Sequence, residues 1–288
     1  MGSFDIGGKV ALVTGAARGI GFATARALQE RGATAVIVDL DARDAQRAAQ
    51  AIGPRAIGFG ADVTDLAAMQ RVVTQTVKQR GSLDIVVANA GITPKPSSLR
   101  AMDPRLFDRV IEVNLLGVHR TVSAALPEVV AGGGHVVVTS SVYAFINGAL
   151  HAPYAMSKAA VEQFGRALRA ELVNHGASAS VAYFGYIHTA AERDGFAERV
   201  GDSFEPTFPR GWLGPVGPDD AADAIVRGIE RRAPRIFAPR RWVPMSILRG
   251  LVNPLLDRRT ERNAMIQAIV RDADQIDPCV VAPAPNAP

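Results

Sequence analysis

Short apolar runs alternate along the chain with longer segments in which apolar residues recur every three or four positions. The short runs lack polar alternation, as strands of a parallel sheet do when helices cover both faces. They predict strands at KVALVT (9–14), TAVIVD (34–39), LDIVVA (83–88), GHVVVTSS (134–141) and SASVAYF (178–184). The periodic segments predict helices at 18–31, 41–52, 65–80, 104–131 and 154–175. Repeated strand–helix–strand units predict an α/β fold, a doubly wound parallel sheet of about seven strands with helices on both faces.

The pattern becomes less regular after the last of these strands. Residues 190–215 mix charged, aromatic, Gly and Pro residues, and we expect them to form a lid over the substrate. Further elements are predicted as a helix at 218–232, a strand at 235–239 and one or two helices in 240–277, before a Pro- and Ala-rich tail. We therefore expect a single domain over 1–240 and a helical C-terminal extension over 241–288.

Composition narrows the class of protein. Of the 288 residues, 48% are hydrophobic and 21% are charged, which is typical of a soluble chain with a large core. Cys279 is the single cysteine, which excludes an internal disulfide framework and a Cys-rich zinc site. No segment resembles a signal peptide or a membrane-spanning helix, so we expect a cytoplasmic protein. His151 and His188 have no second ligand at metal spacing, so no metal is expected.

The net charge of +4 is unevenly distributed, because arginines concentrate towards the C-terminus. The segment RRWVPMSILRGLVNPLLDRR (240–259) combines several of them with large apolar side chains. Such a segment could meet nucleic acid or lie on an anionic membrane. Segments of this composition are more commonly buried against the protein core or a neighbouring subunit. We therefore expect no nucleic-acid partner, and membrane contact through 240–259 is the less favoured alternative.

The segment TGAARGIG (14–21) follows the first predicted strand and begins the first predicted helix. Gly15 allows a sharp turn, Gly19 lets the backbone approach a pyrophosphate, and Gly21 permits close contact between helix and strand. The helix N-terminus then presents free N–H groups and the positive end of its dipole to the phosphates. The spacing differs from the commoner G-x-G-x-x-G, so the segment matches the dinucleotide fingerprint only loosely.

Asp39 ends the second strand roughly 20 residues beyond this loop, where a carboxylate can accept hydrogen bonds from an adenosine ribose. It could instead cap the following helix, although Asp41 is placed to do so. A carboxylate at the ribose would repel a 2′-phosphate, which favours NAD over NADP. Arg18, inside the loop, could reach a 2′-phosphate, so NADP remains the alternative cofactor.

Further motifs follow in a recognisable order: ADV (61–63), ANAG (88–91), EVNLLG (112–117), VTSSVY (138–143) and YAMSK (154–158). Together with the glycine loop, they resemble the short-chain dehydrogenase/reductase family over roughly residues 7–240. Two positions depart from that family. Ala88 replaces the first asparagine of an N-N-A-G turn, and Phe184 replaces the proline of a Pro-Gly pair after the sixth strand. The resemblance implies a Rossmann-like sheet, an NAD(P)-dependent oxidoreductase and a homodimer or homotetramer.

The same resemblance implies the residues of the site. The catalytic set is Asn114, Ser141, Tyr154 and Lys158. Ser141 rather than Ser140 belongs to it, because Ser141 lies thirteen residues before Tyr154. The implied cofactor contacts are Gly15, Arg18, Gly19, Ile20, Gly21, Asp39, Asp62, Val63, Asn89, Ala90, Gly91, Tyr154, Lys158, Ile187 and Thr189. The expected substrate contacts are Ser141, Tyr143, Tyr154, Tyr186 and His188.

Tyr154 and Lys158 are one turn apart on the same face of a predicted helix. A free tyrosine, with a pKa of about 10, is an inefficient base near neutral pH. A neighbouring ammonium favours the phenolate, and lowering the pKa by ~2–3 would bring Tyr154 into the working range. The resemblance further implies that Ser141 holds the substrate oxygen. It also implies that Lys158 bonds the nicotinamide ribose and that Asn114 holds a water joining Lys158 to solvent.

The predicted function is an NAD(H)-dependent oxidoreductase that interconverts a secondary alcohol and a ketone. Aromatic residues of the expected lid, with apolar residues at strand ends, favour a hydrophobic or bulky substrate, although they could equally serve only to anchor the lid. An NADPH-dependent carbonyl reductase is the alternative within the same chemistry. A dinucleotide-sensing regulator without catalysis is the alternative of another class, but it would not need the pair of Tyr154 and Lys158.

Overall fold

Seven parallel strands form one sheet in the computed structural model, which describes residues 2–187, 214 and 216–275. The strands are β1 (Val10–Thr14), β2 (Thr34–Asp39), β3 (Ala56–Gly60), β4 (Ile85–Ala88), β5 (His135–Ser141), β6 (Ser178–Phe184) and β7 (Arg235–Ala238). Their order in the sheet is β3-β2-β1-β4-β5-β6-β7, which confirms the predicted doubly wound fold. The strand order reverses between β1 and β4, and ligands in such sheets bind in the crevice beyond the carboxyl ends at that reversal.

Strand β3 is the one that apolar runs did not predict. Its sequence, AIGFG, contains two glycines, and most of the strand is only partly buried. A Cβ at Gly58 would collide with the backbone of Ala45, and a Cβ at Gly60 would lie 2.6 Å from the Ala42 Cβ. Because helix α2 packs directly on this edge of the sheet, β3 needs small residues where a typical strand has β-branched ones.

Helices cover both faces of the sheet. They are α1 (Gly19–Glu30), α2 (Ala42–Ile52), α3 (Leu66–Arg80), α4 (Pro104–Ile111), α5 (Gly117–Ala131), α6 (Ala152–Leu172), α7 (Pro218–Glu230), α8 (Val243–Arg262) and α9 (Ala264–Ala273). Asp41, Asp65 and Asp103 cap α2, α3 and α4 by accepting hydrogen bonds from main-chain N–H groups of the first turn. One apolar core lies beneath α3, α5, α6 and α8, and a second lies beneath α1, α2 and α7.

The helix predicted over 104–131 is not a regular α-helix. A π-helical turn, Glu112–Leu116, separates α4 from α5. Such a turn contains one residue more than an α turn and is frequent at functional sites. Asn114, at its centre, is fully buried. The prediction of an uninterrupted α-helix over 104–131 was therefore wrong at this turn.

The C-terminal extension folds back against the domain. Trp242 and Met245 are buried in the core beneath α6. Arg249 of α8 donates two hydrogen bonds, of 2.8 and 2.9 Å, to the buried carboxylate of Glu162 on α6. The outward face of α8 is apolar, with Leu251 76% exposed. Within the described ranges, no helix is both long and apolar enough to span a bilayer.

Replacing Arg249 with methionine is expected to destabilise the fold by about 2 kcal/mol. Removing one partner of a buried ion pair leaves an uncompensated charge, although partial exposure of Arg249 lets water reach the carboxylate. The urea midpoint measures this effect, and Arg258→Met, an exposed change on the same helix, should leave it almost unchanged. The double variant Glu162→Met, Arg249→Met should recover part of the loss. A loss equal in Arg249→Met and Arg258→Met would contradict the role given to the ion pair.

Candidate active site

The loop between β1 and α1 is packed too tightly for side chains at two glycines. Gly15 has a φ of 62°, and a Cβ there would lie 2.8 Å from the Ala90 Cα. A Cβ at Gly21 would collide with the carbonyl oxygen of Gly15 and lie 2.8 Å from the Asn89 Nδ2. Gly19 also has a left-handed φ, of 59°. The loop therefore lies directly against the segment that follows β4, at the reversal of the strand order.

The first turn of α1 faces this crevice with open donors. Arg18 stands at the N-cap position in an extended conformation, and its exposed side chain does not cap the helix. The first N–H groups of a helix have no partner within the helix, and they carry the positive end of its dipole. This arrangement of main-chain donors suits a phosphate or pyrophosphate.

Asp39 lies at the carboxyl end of β2, beside the same loop. Its Oδ2 accepts a hydrogen bond of 2.9 Å from the Ala17 N–H, and its Oδ1 accepts one of 2.8 Å from the Leu40 N–H. Asp41 rather than Asp39 caps α2. An ionised carboxylate has about four acceptor positions, so Asp39 can anchor the loop and still accept hydrogen bonds from a ligand.

Asp62 and Val63 follow β3, the strand next to β2 in the sheet. The Asp62 Oδ1 accepts hydrogen bonds from the N–H and the hydroxyl of Thr64, each of 2.8 Å, and Oδ2 lies 3.5 Å from Arg109. Partial burial acts to raise the pKa of Asp62, but the Thr64 hydrogen bonds and the Arg109 charge outweigh it and hold the pKa below its ordinary value. The carboxylate therefore stays ionised and fixed.

Asn89 joins the ends of β1 and β4. Its N–H donates to the Thr14 hydroxyl at 3.0 Å, and its side-chain amide donates to the Thr14 carbonyl at 3.1 Å. The Ala90 N–H also donates to the Thr14 hydroxyl. Ala88, which stands where the family has the first asparagine, is a buried residue of β4, and Asn89 makes these contacts at the turn.

Asn114 holds the segment after β4 from the other side. Its Oδ1 accepts a hydrogen bond of 2.7 Å from the Ile92 N–H, and its Nδ2 donates one of 2.8 Å to the Ile92 carbonyl. A Cβ added at Gly91 would lie 3.2 Å from the Asn114 Oδ1 and 3.6 Å from the Lys158 Nζ. Asn114 and Lys158 therefore both approach the backbone at Gly91.

Lys158 is almost completely buried, with 4% of its surface exposed. Its ammonium donates a hydrogen bond of 2.9 Å to the Thr139 carbonyl of β5. Ser140 donates a further hydrogen bond to the Lys158 carbonyl and so ties α6 to β5. Burial lowers the pKa of Lys158 to about 8. A buried lysine with a pKa this close to neutrality is typical of a functional site.

Tyr154 lies one turn before Lys158 on α6, and its ring centroid is 5.5 Å from the Lys158 Nζ. The Tyr143 ring meets it edge to face, with 5.7 Å between centroids. The buried His151 also contacts the Tyr143 ring, at 5.5 Å between centroids. Tyr154 is thus held between a cation and an aromatic ring beside the end of β5.

Ser141 ends β5 on the same side of the sheet. Its hydroxyl donates to the Phe184 carbonyl at 3.2 Å and accepts from the Tyr143 N–H at 3.3 Å. Phe184 itself is a buried residue of β6. Gly185 is held next by a hydrogen bond of 2.9 Å from its N–H to the Ala238 carbonyl. Strand pairing and this bond order the segment in which Phe184 replaces the expected proline.

The remaining predicted site residues follow β6. Tyr186 is 40% exposed, and Ile187 is buried and forms a parallel bridge with Val216. His188 and Thr189, the expected lid over 190–215 and the end of the tail lie outside the described residues, apart from residue 214.

Comparison with known proteins agrees with this geometry. The family profile described as short chain dehydrogenase matches residues 9–199. The chain belongs to that family. The cis-4-hydroxycyclohexanecarboxylate dehydrogenase of Sinomonas cyclohexanicum is 36% identical over 220 residues, which cover 75% of this chain and 87% of the relative. The cyclohexanol dehydrogenase of Rhodococcus sp. strain TK6 is 36% identical over 203 residues, 63% and 75% of the two chains.

A solved structure shows the same fold. A short-chain type dehydrogenase/reductase from Mycobacterium marinum superposes with a TM-score of 0.72 and 29% sequence identity, over 81% of this chain and 94% of that one. This short-chain dehydrogenase is therefore an oxidoreductase that acts on CH–OH groups of a small molecule with a nicotinamide dinucleotide, as its family and its relatives indicate.

In this short-chain dehydrogenase, main-chain groups that the sequence did not indicate hold three of the predicted site residues. The Thr139 carbonyl bonds the Lys158 ammonium, the Phe184 carbonyl bonds Ser141, and the Ile92 backbone bonds Asn114. These partners are main-chain groups, which any residue type can supply, so a sequence motif cannot report them. The salt bridge of Arg109 to Asp62 could have been considered, because Arg109 lies in the helix predicted over 104–131 and Asp62 shortly precedes the helix predicted over 65–80.

Proposed function

We propose that this short-chain dehydrogenase interconverts a bulky, hydrophobic secondary alcohol and its ketone with NAD(H), and that Tyr154 is the general acid/base. The observation that carries the proposal is the buried Lys158 ammonium beside the Tyr154 ring. A cation held there without solvent favours the phenolate, which is the form that accepts a proton from an alcohol. The Thr139 carbonyl fixes the ammonium but brings no negative charge that would cancel the effect.

The crevice fits the nicotinamide dinucleotide that the family uses. The glycine loop leaves no room for side chains at Gly15 and Gly21 and aims helix donors outward, which suits the pyrophosphate. Asp39 keeps acceptor positions for the hydroxyls of an adenosine ribose. Asp62 and Val63 are assigned to the adenine, and Asn89, Ala90, Gly91 and Ile187 are assigned to the rest of the cofactor, together with Thr189. When bound, the nicotinamide accepts or donates the hydride.

The protein groups then handle the proton. Ser141 is proposed to hold the substrate oxygen close to Tyr154, which takes the hydroxyl proton during oxidation and returns it during reduction. Lys158 favours the phenolate by its charge and is also assigned to the nicotinamide ribose. Asn114 uses one lone pair of Oδ1 on Ile92, and the second remains for the water proposed to connect Lys158 with solvent.

The substrate class rests on the relatives and on the residues near Tyr154. The two relatives described above are named for alcohols on a cyclohexane ring. Tyr143 adjoins Tyr154, and Val142, Phe145 and Leu150 are buried apolar residues of the same segment. These neighbours favour an alicyclic secondary alcohol over a charged or strongly polar one.

The test is a screen of secondary alcohols with NAD and NADP, and of ketones with the reduced cofactors, followed by absorbance of the reduced nicotinamide. We expect turnover of cyclohexanol-like alcohols with NAD, with kcat/KM at least about tenfold above that for short polar alcohols, since each buried CH₂ contributes about 0.8 kcal/mol. Activity only with polar alcohols would reject the substrate class. Tight NAD binding without any turnover would instead favour a dinucleotide-sensing regulator.

The preference for NAD depends on Asp39. Asp39→Asn retains the size and one acceptor of the side chain but removes the charge that would repel a 2′-phosphate. We expect the ratio of kcat/KM with NAD to that with NADP to fall at least about tenfold, which corresponds to about 1.4 kcal/mol. Asp41→Asn is the matched control, because asparagine caps a helix as well as aspartate. A wild-type preference for NADP, or an unchanged ratio in Asp39→Asn, would favour a role for Arg18 and an NADPH-dependent reductase.

We also propose that the protein works in the cytoplasm as a homodimer or homotetramer. Met156 on α6 and Leu116 before α5 are apolar residues that stay 54% and 37% exposed. Such residues on adjoining helices suit a contact between subunits. Light scattering on the purified protein measures the assembly.

A further inference from the structure

Leu150 has a backbone conformation that leucine rarely adopts. Its φ is 65°, and Arg232 is the other non-glycine residue of positive φ in the described part of the chain. Leucine is disfavoured in the left-handed region, and such a residue persists only where its surroundings hold it in place. Leu150 directly precedes His151, the N-cap residue of α6, whose first turn carries Tyr154. A strained residue therefore sets the point at which the helix of Tyr154 begins.

Helix α9 supplies the contacts that hold Leu150. Leu150 and Ala273 form a small buried cluster, with Ile269 and Val270 packed against it. Ala273 has no exposed surface, and Leu150 has 7%. Because α9 belongs to the C-terminal extension, a segment beyond residue 240 holds the strained residue.

The same helix reaches the segment that follows β4. Asp274, directly after α9, accepts a hydrogen bond from the Ser98 hydroxyl, and its other oxygen lies 4.0 Å from Arg100. The Ser97 N–H donates a hydrogen bond of 2.9 Å to the Leu150 carbonyl. The segments after β4 and before α6 are therefore joined to each other and to α9. Both segments begin at carboxyl ends of strands, where the substrate is proposed to bind.

The aromatic rings of His151 and Tyr143 connect Leu150, which contacts α9, with Tyr154. His151 follows Leu150 and lies 5.5 Å from Tyr143, which lies 5.7 Å from Tyr154, all between ring centroids. A displacement of Leu150 would shift His151 and, through it, the ring that meets Tyr154 edge to face. The glycine loop, Asp39 and Asp62 lie at the carboxyl ends of β1, β2 and β3, whereas the segments joined by α9 follow β4 and β5.

We propose that α9 is a positioning element of the active site. By holding Leu150 in its left-handed conformation and tying Ser98 to the same helix, it fixes the substrate side of the cleft and the start of α6. The consequence is a role in substrate recognition without a role in cofactor binding. This inference rests on the proposed alcohol dehydrogenase function and adds a specific determinant to it.

The test is Ala273→Glu in the full-length protein. A carboxylate at this fully buried position cannot remain unpaired against Leu150, so α9 should detach. Met265→Glu introduces the same side chain on the same helix at a position that is 55% exposed, and it is the matched control. We expect Ala273→Glu to lower kcat/KM for the alcohol at least about tenfold while the dissociation constant for NAD changes less than about twofold. Met265→Glu should change neither.

Two further measurements separate positioning from general stability. Hydrogen exchange at the Ser97 and His151 amides should accelerate in Ala273→Glu but not in Met265→Glu, whether or not an alcohol substrate has been found. In a Leu150→Gly background, where the left-handed conformation needs no support, Ala273→Glu should have a much smaller effect on kcat/KM. If Ala273→Glu strongly lowers the melting temperature, Asp274→Ala replaces it as the test. Asp274→Ala removes the hydrogen bond to Ser98 and should cause a smaller loss in kcat/KM.

The outcomes distinguish this inference from the proposed function. If the wild-type protein oxidises no secondary alcohol, the proposed function fails, and unchanged exchange in Ala273→Glu would then overturn the inference separately. If the wild type is active and Ala273→Glu keeps its kcat/KM, α9 does not position the site. Equal losses in substrate and NAD affinity would show that α9 supports the whole fold instead.

Discussion

Tyr154→Phe is expected to lower kcat by about 10³-fold, within the range for loss of a positioned acid/base catalyst. The phenylalanine ring retains the edge-to-face contact with Tyr143 and the position beside the Lys158 ammonium. Only the hydroxyl is lost, so the dissociation constant for NAD should change less than about twofold. Steady-state kinetics with cyclohexanol, together with a titration of NAD by protein fluorescence, measure the two quantities.

Tyr143→Phe is the control for this prediction, because it removes the hydroxyl from the adjoining ring in the same way. We expect it to alter KM for the alcohol and to reduce kcat by less than about tenfold. Losses of equal size in the two variants would mean that the phenol at residue 154 has no special role. Tyr154→Phe with more than a tenth of the wild-type kcat would exclude Tyr154 as the general acid/base.

Lys158→Met is expected to lower kcat strongly and to stabilise the cofactor-free protein. Loss of the charge that favours the phenolate should reduce kcat by about 10²–10⁴-fold. Burial lowers the pKa of Lys158 from 10.5 to about 8, and this difference corresponds to at most about 3 kcal/mol of destabilisation by the buried ammonium. Methionine removes that cost and loses the hydrogen bond to the Thr139 carbonyl, worth about 1 kcal/mol. The net gain should be about 2 kcal/mol at pH 7.

The gain in stability of Lys158→Met over the wild type should decrease as the pH rises. Below about pH 8 the lysine is protonated in both folded and unfolded chains, so the folded wild type carries the whole cost of the buried charge. Between about pH 8 and 10.5 the folded state has lost the proton while the unfolded state still binds it, so wild-type stability rises with pH. The advantage of Lys158→Met should therefore be largest below pH 8 and shrink towards pH 10.5.

Denaturant midpoints of the cofactor-free proteins at pH 7 and pH 10 measure this difference. Lys78→Met, at an exposed position in the last turn of α3, controls for the loss of a positive charge as such. It should change stability by no more than about 0.5 kcal/mol at either pH. A Lys158→Met protein that is less stable than the wild type at pH 7 would show that the ammonium contributes to the fold, in contradiction to the low pKa.

Much of the fold could be predicted because parallel strands buried on both faces leave a clear pattern of uninterrupted apolar runs. The strand at Ala56–Gly60 had no such run, since contact with α2 requires glycine at residues 58 and 60. The π-helical turn also left no trace in the periodicity. In both places, packing against one particular neighbour outweighed the local pattern, and the identity of that neighbour depends on the whole topology.

The side chains of the candidate site could be predicted from the sequence motifs. The motifs placed Asn114, Ser141, Tyr154 and Lys158 at the carboxyl ends of neighbouring strands or on the helices beside them, and the structure brings them to the same crevice. What holds them was not predictable, because the partners are main-chain carbonyl and N–H groups. The contact of α9 with Leu150 was equally hidden, since it joins residues more than a hundred positions apart.

The π-helical turn at Glu112–Leu116 has a consequence for insertions and deletions. It contains one residue more than an α turn, so α4 and α5 are related as if one residue had been inserted into a regular helix. Deleting one residue between 112 and 116 would convert the wide turn into a regular α turn with little rotation of α5 relative to α4, because the π turn absorbs the additional residue locally. Val118 and Val122 would stay in the core, but Asn114 would lose the turn that presents its side chain to Ile92. A deletion within α5 would instead rotate the rest of that helix by about 100° and reduce stability, whereas a deletion at this turn would chiefly disturb the candidate active site.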